Sequence, residues 1–196
     1  MKNIFLLIML FPIHSKCFSQ QNEFSAFNKK RQKISYNGLK ILGAYSAANI
    51  IYGSIAAAQT TGTNKYFQQM NVIWNGVTLS IAGIGYFTAK KEAVLSYAQS
   101  LKKQHSAEKL FLFNAGLDLA YIAGGAYTKE RSKTASNNPA RLKGYGQSVM
   151  LQGAVLLLFD GVMYAIHNRH GKKLYDMEKP VQMGFTGNGI GLLVNL

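Results

Sequence analysis

The chain has 196 residues, 48% of them apolar and 15% charged, with 22 Lys and Arg against 8 Asp and Glu and a formal charge of +14. That length is a prior for one domain or for two small copies of one unit, and the lone Cys17 excludes a disulfide framework. The basic residues lie between apolar blocks instead of on one arm with a reading motif, so no nucleic-acid partner is expected and anionic lipid headgroups are the expected contact.

Residues 1–19 carry an early lysine, an apolar core from Ile4 to Ile13, and then polar and small residues. That is the order of a secretory signal peptide, expected to be cleaved before Gln20 after Cys17-Phe18-Ser19. Pro12 and the short core argue against a membrane span, although an uncleaved N-terminal helix is the alternative. Lys16 argues against lipid modification of Cys17, and cleavage would leave no cysteine for a thiolate site. Residues 20–38 are polar and basic, with Phe24 and Phe27 ahead of Lys29, Lys30, Arg31 and Lys33, and predict a flexible or surface-lying juxtamembrane segment.

Four apolar blocks follow, at about 39–58, 70–89, 110–127 and 145–166. Each reaches or approaches the roughly 20 residues that cross a hydrocarbon layer of about 30 Å. The first is rich in small residues, from Gly43 to Gly53 and Ala58, that let a second helix approach. The second, MNVIWNGVTLSIAGIGYFTA, carries Asn71 and Asn75 one turn apart. A soluble bundle would place charges along each outer helix face, yet no Lys, Arg or Glu occurs in 70–89, 110–127 or 145–166. The fold class expected is therefore all-α, a four-transmembrane-helix bundle behind a signal peptide. The lysine-rich segment 90–109 predicts an interfacial helix at Glu92–Leu101, and 128–144 predicts a basic loop. The tail, 167–196, begins basic and ends glycine-spaced, as either a small hairpin or an ordered tail.

The blocks are open to being two repeated helix pairs. Asn49 and Tyr52 match Asp118 and Tyr121, Asn75-Gly76 match Gln152-Gly153, and Gly83 matches Asp160. Polar residues fall on helical spacing: Tyr45, Asn49 and Tyr52; Asn71, Asn75 and Thr78, continued by Ala82; Asn114, Asp118 and Tyr121; and Ser148, Gln152, Asp160 and Tyr164. A carboxylate in hydrocarbon is costly, so Asp118 and Asp160 are expected to face the interior. The candidate site is Asn49, Asn75, Asn114, Asp118, Gln152 and Asp160. Its bland reading is interhelical hydrogen bonding that sets register. Its functional reading is a path or pocket for a proton, cation or small polar ligand. An intramembrane enzyme is the third, but no nucleophile or metal cluster stands beside the aspartates, and no catalytic residue, metal or cofactor is assigned. His167, His170 and Asp176 are read as capping and headgroup contacts before a metal set. Gly116, Gly124 and Gly125 are read as helix-packing glycines.

With four spans, the mature N-terminus, the 90–109 segment and the tail share a side holding 14 Lys and Arg, against 6 opposite. The positive-inside rule puts that side in the cytoplasm, whereas a cleaved signal peptide puts it outside.

The runs QQMNVIWNGVTLSIAGIGY, GLDLAYIAGGAY and GYGQSVMLQGAVLLLFDGVMY resemble a small uncharacterised family of Bacteroidota membrane proteins, marked by Met-Asn-x-x-Trp-Asn and a later Gln-Gly…Phe-Asp helix, over roughly residues 35–170. The resemblance implies a four-helix architecture in a bacterial cell membrane, the inner one before the outer, and no activity. From the hydrogen-bonding reading of the polar line a structural or interaction role is expected, with a homo-oligomer or membrane partner as the contact beyond lipid. A transporter, channel or ligand-binding role built on Asp118 and Asp160 is the alternative.

Overall fold

Inside a bilayer the backbone must satisfy its own N–H and C=O groups, which leaves helices or closed barrels. The chain's prolines are Pro12, Pro139 and Pro180, so none interrupts residues 13–138. A computed structural model describes residues 2–89, 95–177, 181–186 and 189–194, with side chains described over 22–89 and 95–177. It has four helices, α1 (Lys2–Gln59), α2 (Gly62–Thr88), α3 (Tyr97–Arg131) and α4 (Pro139–Met177), followed by β1 (Val181–Thr186) and β2 (Gly189–Val194).

Local chemistry sets the ends. Gly62 has a φ of +60°, the left-handed conformation that reverses the chain between α1 and α2 at no steric cost to glycine. Asn138, also left-handed at 53°, precedes Pro139, whose fixed φ suits the first position of α4. Ser96 caps α3 through a reciprocal pair of bonds, its Oγ accepting from Gln99 N at 3.3 Å while Gln99 Oε1 accepts from Ser96 N at 3.0 Å. Started there, α3 runs unbroken through the lysine-rich segment into the third apolar block. The separate interfacial helix expected at Glu92–Leu101 is therefore corrected from Tyr97 onward, and its first residues, 92–94, lie outside the described residues. The tail forms the hairpin alternative, an antiparallel pair with Val181 opposite Val194 and Thr186 opposite Gly189.

The helices alternate in direction. Along α1 and α2, Gly53 meets Asn71 and Val72, while Gly85 meets Leu39; along α3 and α4, Gly125 meets Gly146 and Met150, while Gln104 bonds the His167 carbonyl. α4 occupies the middle, packed on both α3 and α2, and α1 lies chiefly against α2. The turn at 60–62 and the loop at 132–138 fall at one end of the bundle. The start of α3 and the last turns of α1's described N-terminal half and of α4 fall at the other.

Which face goes inward is the reverse of a soluble bundle. Among the described residues the buried apolar side chains are Phe27, Ala82, Met163 and Leu174, whereas fifteen polar or charged side chains are buried, and Ile51, Ile73, Val77, Ile81, Ile84, Leu119 and Leu158 are exposed. Along α2 the buried line is Asn71, Asn75, Thr78 and Ala82, with its isoleucines outward. α1 from Asn22, α3 and α4 are long and apolar enough to cross a membrane. An apolar exterior over a polar interior is what hydrocarbon solvent selects, and the chain is an integral, multi-pass membrane protein.

Residues 22–38 are not a loose or surface-lying segment, as the composition alone suggested. They continue α1, and Phe27, Asn28 and Arg31 are buried against α3 and α4. At about 1.5 Å per residue, the 35 residues of α3 and 39 of α4 also exceed the bilayer's hydrocarbon core, so α1, α3 and α4 extend past the end of α2 as a three-helix head. The expected cleavage before Gln20 falls where side chains lie outside the described residues.

Glycines set the α3–α4 spacing. A Cβ at Gly146 would stand 2.5 Å from Lys129 N and 2.6 Å from the Gly125 carbonyl oxygen, both backbone atoms that cannot yield. Gly116 and Gly124, read from sequence as packing glycines, face open space, and only Gly125 of the three is at a helix contact. Replacing Gly146 with leucine is expected to cost about 1–3 kcal/mol or more and to lower the melting temperature in detergent, whereas Gly116→Leu leaves it within experimental error.

Candidate functional site

The polar stripes meet in two places. The first joins α1, α2 and α4. Tyr45 donates its hydroxyl to Gln152 Oε1 (3.2 Å), Gln152 Nε2 donates to Asn71 Oδ1 (2.6 Å), Asn71 Nδ2 donates to Asn49 Oδ1 (3.3 Å), and Asn49 Nδ2 returns to the Tyr45 carbonyl (2.9 Å). These four bonds form a closed ring in which every donor has the same sense around the circuit. Asn75 joins it from one turn away, its Nδ2 donating to Asn71 Oδ1 at 3.0 Å. Gln152 and Asn75 are at most 1% exposed, so the ring operates without water's competition, where a hydrogen bond is electrostatically stronger.

The second place joins α3 and α4. Asp118 and Asp160, 2% and 6% exposed, face each other across the α3–α4 contact with their carboxyl groups within hydrogen-bonding reach. Asp118 reaches across because Gly153 lets the helices close, with the Asp118 carbonyl 3.0 Å from where a Gly153 Cβ would stand. α4 carries one member of each centre. Gln152 and Asp160 are eight residues, about 12 Å of helix axis, apart. Four buried side-chain atoms of this region have no hydrogen-bond partner: Asp118 Oδ2, Asn75 Oδ1, Ser46 Oγ and Ser148 Oγ.

Of the six candidate residues, the structure brings Asn49, Asn75 and Gln152 into the ring and pairs Asp118 with Asp160. Asn114 is half-buried and enters neither set among the described residues. Tyr52, placed on the polar line by spacing, is 65% exposed and faces lipid. Tyr121 turns instead to an edge-on contact with Trp74, ring centroids 4.8 Å apart. Asn71, counted in the stripe but not among the six, is the hub. Its signal was the i, i+4 pairing with Asn75. Among the described residues no group of three His, Cys, Asp or Glu side chains is placed to hold a metal ion.

A family model described as a family of unknown function, DUF6992, matches residues 41–161, which include all six candidate residues, the ring and the aspartate pair. The chain belongs to the DUF6992 family. No curated protein and no solved structure matches it. The matched stretch begins inside α1 and ends one residue past Asp160, so the hydrogen-bonded core lies within the match, and most of the head and the hairpin lie outside it.

That head holds a third polar cluster, which spacing did not reveal because residues 20–38 read as a solvated segment. Asn28 donates to Ser100 Oγ at 2.7 Å, Arg31 donates to the Ser100 carbonyl at 3.4 Å, and Gln104 donates to the His167 carbonyl at 2.6 Å. His167 stands 3.2 Å from Ser35 Oγ and stacks on Phe111; His170 stacks on Phe27 and meets the Phe27 carbonyl at 3.1 Å. These are contacts between helices, not the headgroup contacts expected of the two histidines. Burial first, then the charges of His170 and Arg31, push the His167 imidazole from an ordinary 6.5 down to about 4. Burial pushes His170 down as well, with the Phe27 carbonyl acting the other way.

The unfolded chain takes up a proton at His167 near pH 6.5, whereas the folded head resists until about pH 4. Between those values the unfolded state binds more protons, and stability falls as pH falls; above 6.5 the contribution is complete and flat. The melting temperature in detergent is expected to drop by about 5 °C or more from pH 6.5 to 4.5, with a shallower slope in His167→Gln.

Proposed function

We propose that the protein is a four-span bacterial membrane protein with a structural or interaction role. Its polar core holds four helices in one register, and its apolar exterior faces lipid, a second copy or a membrane partner. The observation that carries this reading is the closed ring of Tyr45, Gln152, Asn71 and Asn49, in which polar groups of three helices bond one another. The fourth span in this reading is α2. Its 27 residues reach about 40 Å, it runs antiparallel to α1, and the asparagines that lower its hydropathy are turned inward. The leader at 1–19 and the pairing of α1–α2 with α3–α4 as repeats belong to the same proposal. They are supported by the order of residues at the N-terminus and by the matched positions Asn49 with Asp118 and Asn75 with Gln152.

A second reading rests on one observation. Asp118 Oδ2 and Asn75 Oδ1 are buried acceptors without donors, as a site for a proton, cation or small polar ligand would present. A double-mutant cycle on Asn71→Leu and Gln152→Leu, read by melting in detergent, separates the two. The structural reading expects a coupling of about 0.6–2 kcal/mol, with Asp118→Asn and Asp160→Asn still folding and still complementing a deletion strain. Loss of complementation in either aspartate variant with the fold intact would replace it with the ligand-binding reading.

A further inference from the structure

Where α1 meets α2, the pair carries a groove of about 230 Å³ close to where α2 ends. Lys40 and Gly43 of α1 and Leu79, Ala82, Gly83 and Tyr86 of α2 are among the residues that line it, Ala82 buried and Lys40 exposed. Glycine in a helix interior costs about 1 kcal/mol relative to alanine, and at Gly125 or Gly146 close helix contact accounts for it. No such contact exists at the groove. A Cβ at Gly83 would meet nothing within 4 Å, and one at Gly43 would meet Ala82 and Leu79 only at 3.9 Å. The groove is thus shaped by glycines that the chain's own packing does not require, and its walls face the hydrocarbon layer.

The occupant follows from where the groove opens. Its deep part offers only apolar walls, which take an acyl chain. Lys40 stands at the start of the first span, where headgroups sit, and is the one charged residue lining the groove among the described residues. Lys40 Nζ lies 5.8 Å from the centroid of the Tyr86 ring, which holds the ammonium over the groove. The same charge offsets the carbonyl end of α2, yet an ammonium has three donors and none of these contacts exhausts them.

We propose that this groove binds one anionic phospholipid, with an acyl chain laid over Gly43 and Gly83 and the phosphate held by Lys40. The site is independent of the ring and of the aspartate pair. The test is native mass spectrometry of the full chain released from mild detergent, with phosphatidylglycerol or phosphatidylcholine added. One phosphatidylglycerol is expected to be retained about fivefold better than phosphatidylcholine, the preference disappearing in Lys40→Gln. Gly83→Leu, which fills the groove without meeting the backbone, is expected to abolish retention of the bound lipid, whereas Gly116→Leu on α3 leaves it intact. Melting of each variant checks its fold, and should Gly83→Leu fail to fold, the surface substitution Lys40→Gln decides alone. Equal retention of the two lipids, or phosphatidylglycerol retention that survives Lys40→Gln or a folded Gly83→Leu, overturns the proposal.

Discussion

Hydrocarbon offers a side chain no hydrogen-bond partner and offers an apolar side chain no reason to hide, and this single property of the solvent orders the molecule. The ring through Tyr45, Gln152, Asn71 and Asn49 is its clearest consequence. Each amide in it both accepts and donates, and the bonds cross from α4 to α1 and α2, so three helices are held at one relative height. A one-residue slip of α2 would rotate Asn71 by about 100° out of the ring toward lipid. The individual bonds are modest in energy, and their effect is to select one packing among several of similar stability.

Contact distance complements hydrogen bonding. α3 shares no bond with the ring and is joined to α4 by the aspartate pair and by glycines that bring backbones together at Gly125, Gly146 and Gly153. The two devices depend on each other. Carboxyl groups are short, and only the approach that Gly153 permits lets Asp118 reach Asp160. Central α4 carries both, through Gln152 on one side and Gly146, Gly153 and Asp160 on the other. Disturbing it uncouples the two halves of the bundle.

The head shows the same chain meeting a different solvent. Past the end of α2, Phe27 and Leu174 are buried and lysines are exposed, the ordinary amphipathic order, yet Asn28, Arg31, Gln104, His167 and His170 stitch the three helices together as the ring does deeper in. The positive charge of this stretch is thereby fixed on a rigid element. The groove between α1 and α2 opens at that boundary, where Lys40 marks the change from apolar wall to charged surface.

Much of this was legible from residues alone. Blocks free of Lys, Arg and Glu, the i, i+4 spacing of Asn71 and Asn75, and the isolated aspartates sufficed to place helices, assign a polar inward face and put Asp118 and Asp160 inside, because helical periodicity and the cost of charge in hydrocarbon are local properties. Residues 22–38 and 97–109 were misread as separate surface pieces, since a lysine-rich segment looks solvated until it is known that one of its faces lies against two other helices. Tyr52 was placed on an interior face by spacing that it shares with residues truly inside, and Gly116, read as a packing glycine, faces open space. Local sequence thus determined which residues must be buried somewhere. Only tertiary structure decided which of them meet: that Asn71 is the hub, that Asn114 is left out, and that the polar line divides into a ring and a carboxyl pair. Those outcomes depend on helix order and on the approach distance at a few glycines, neither of which any single helix encodes.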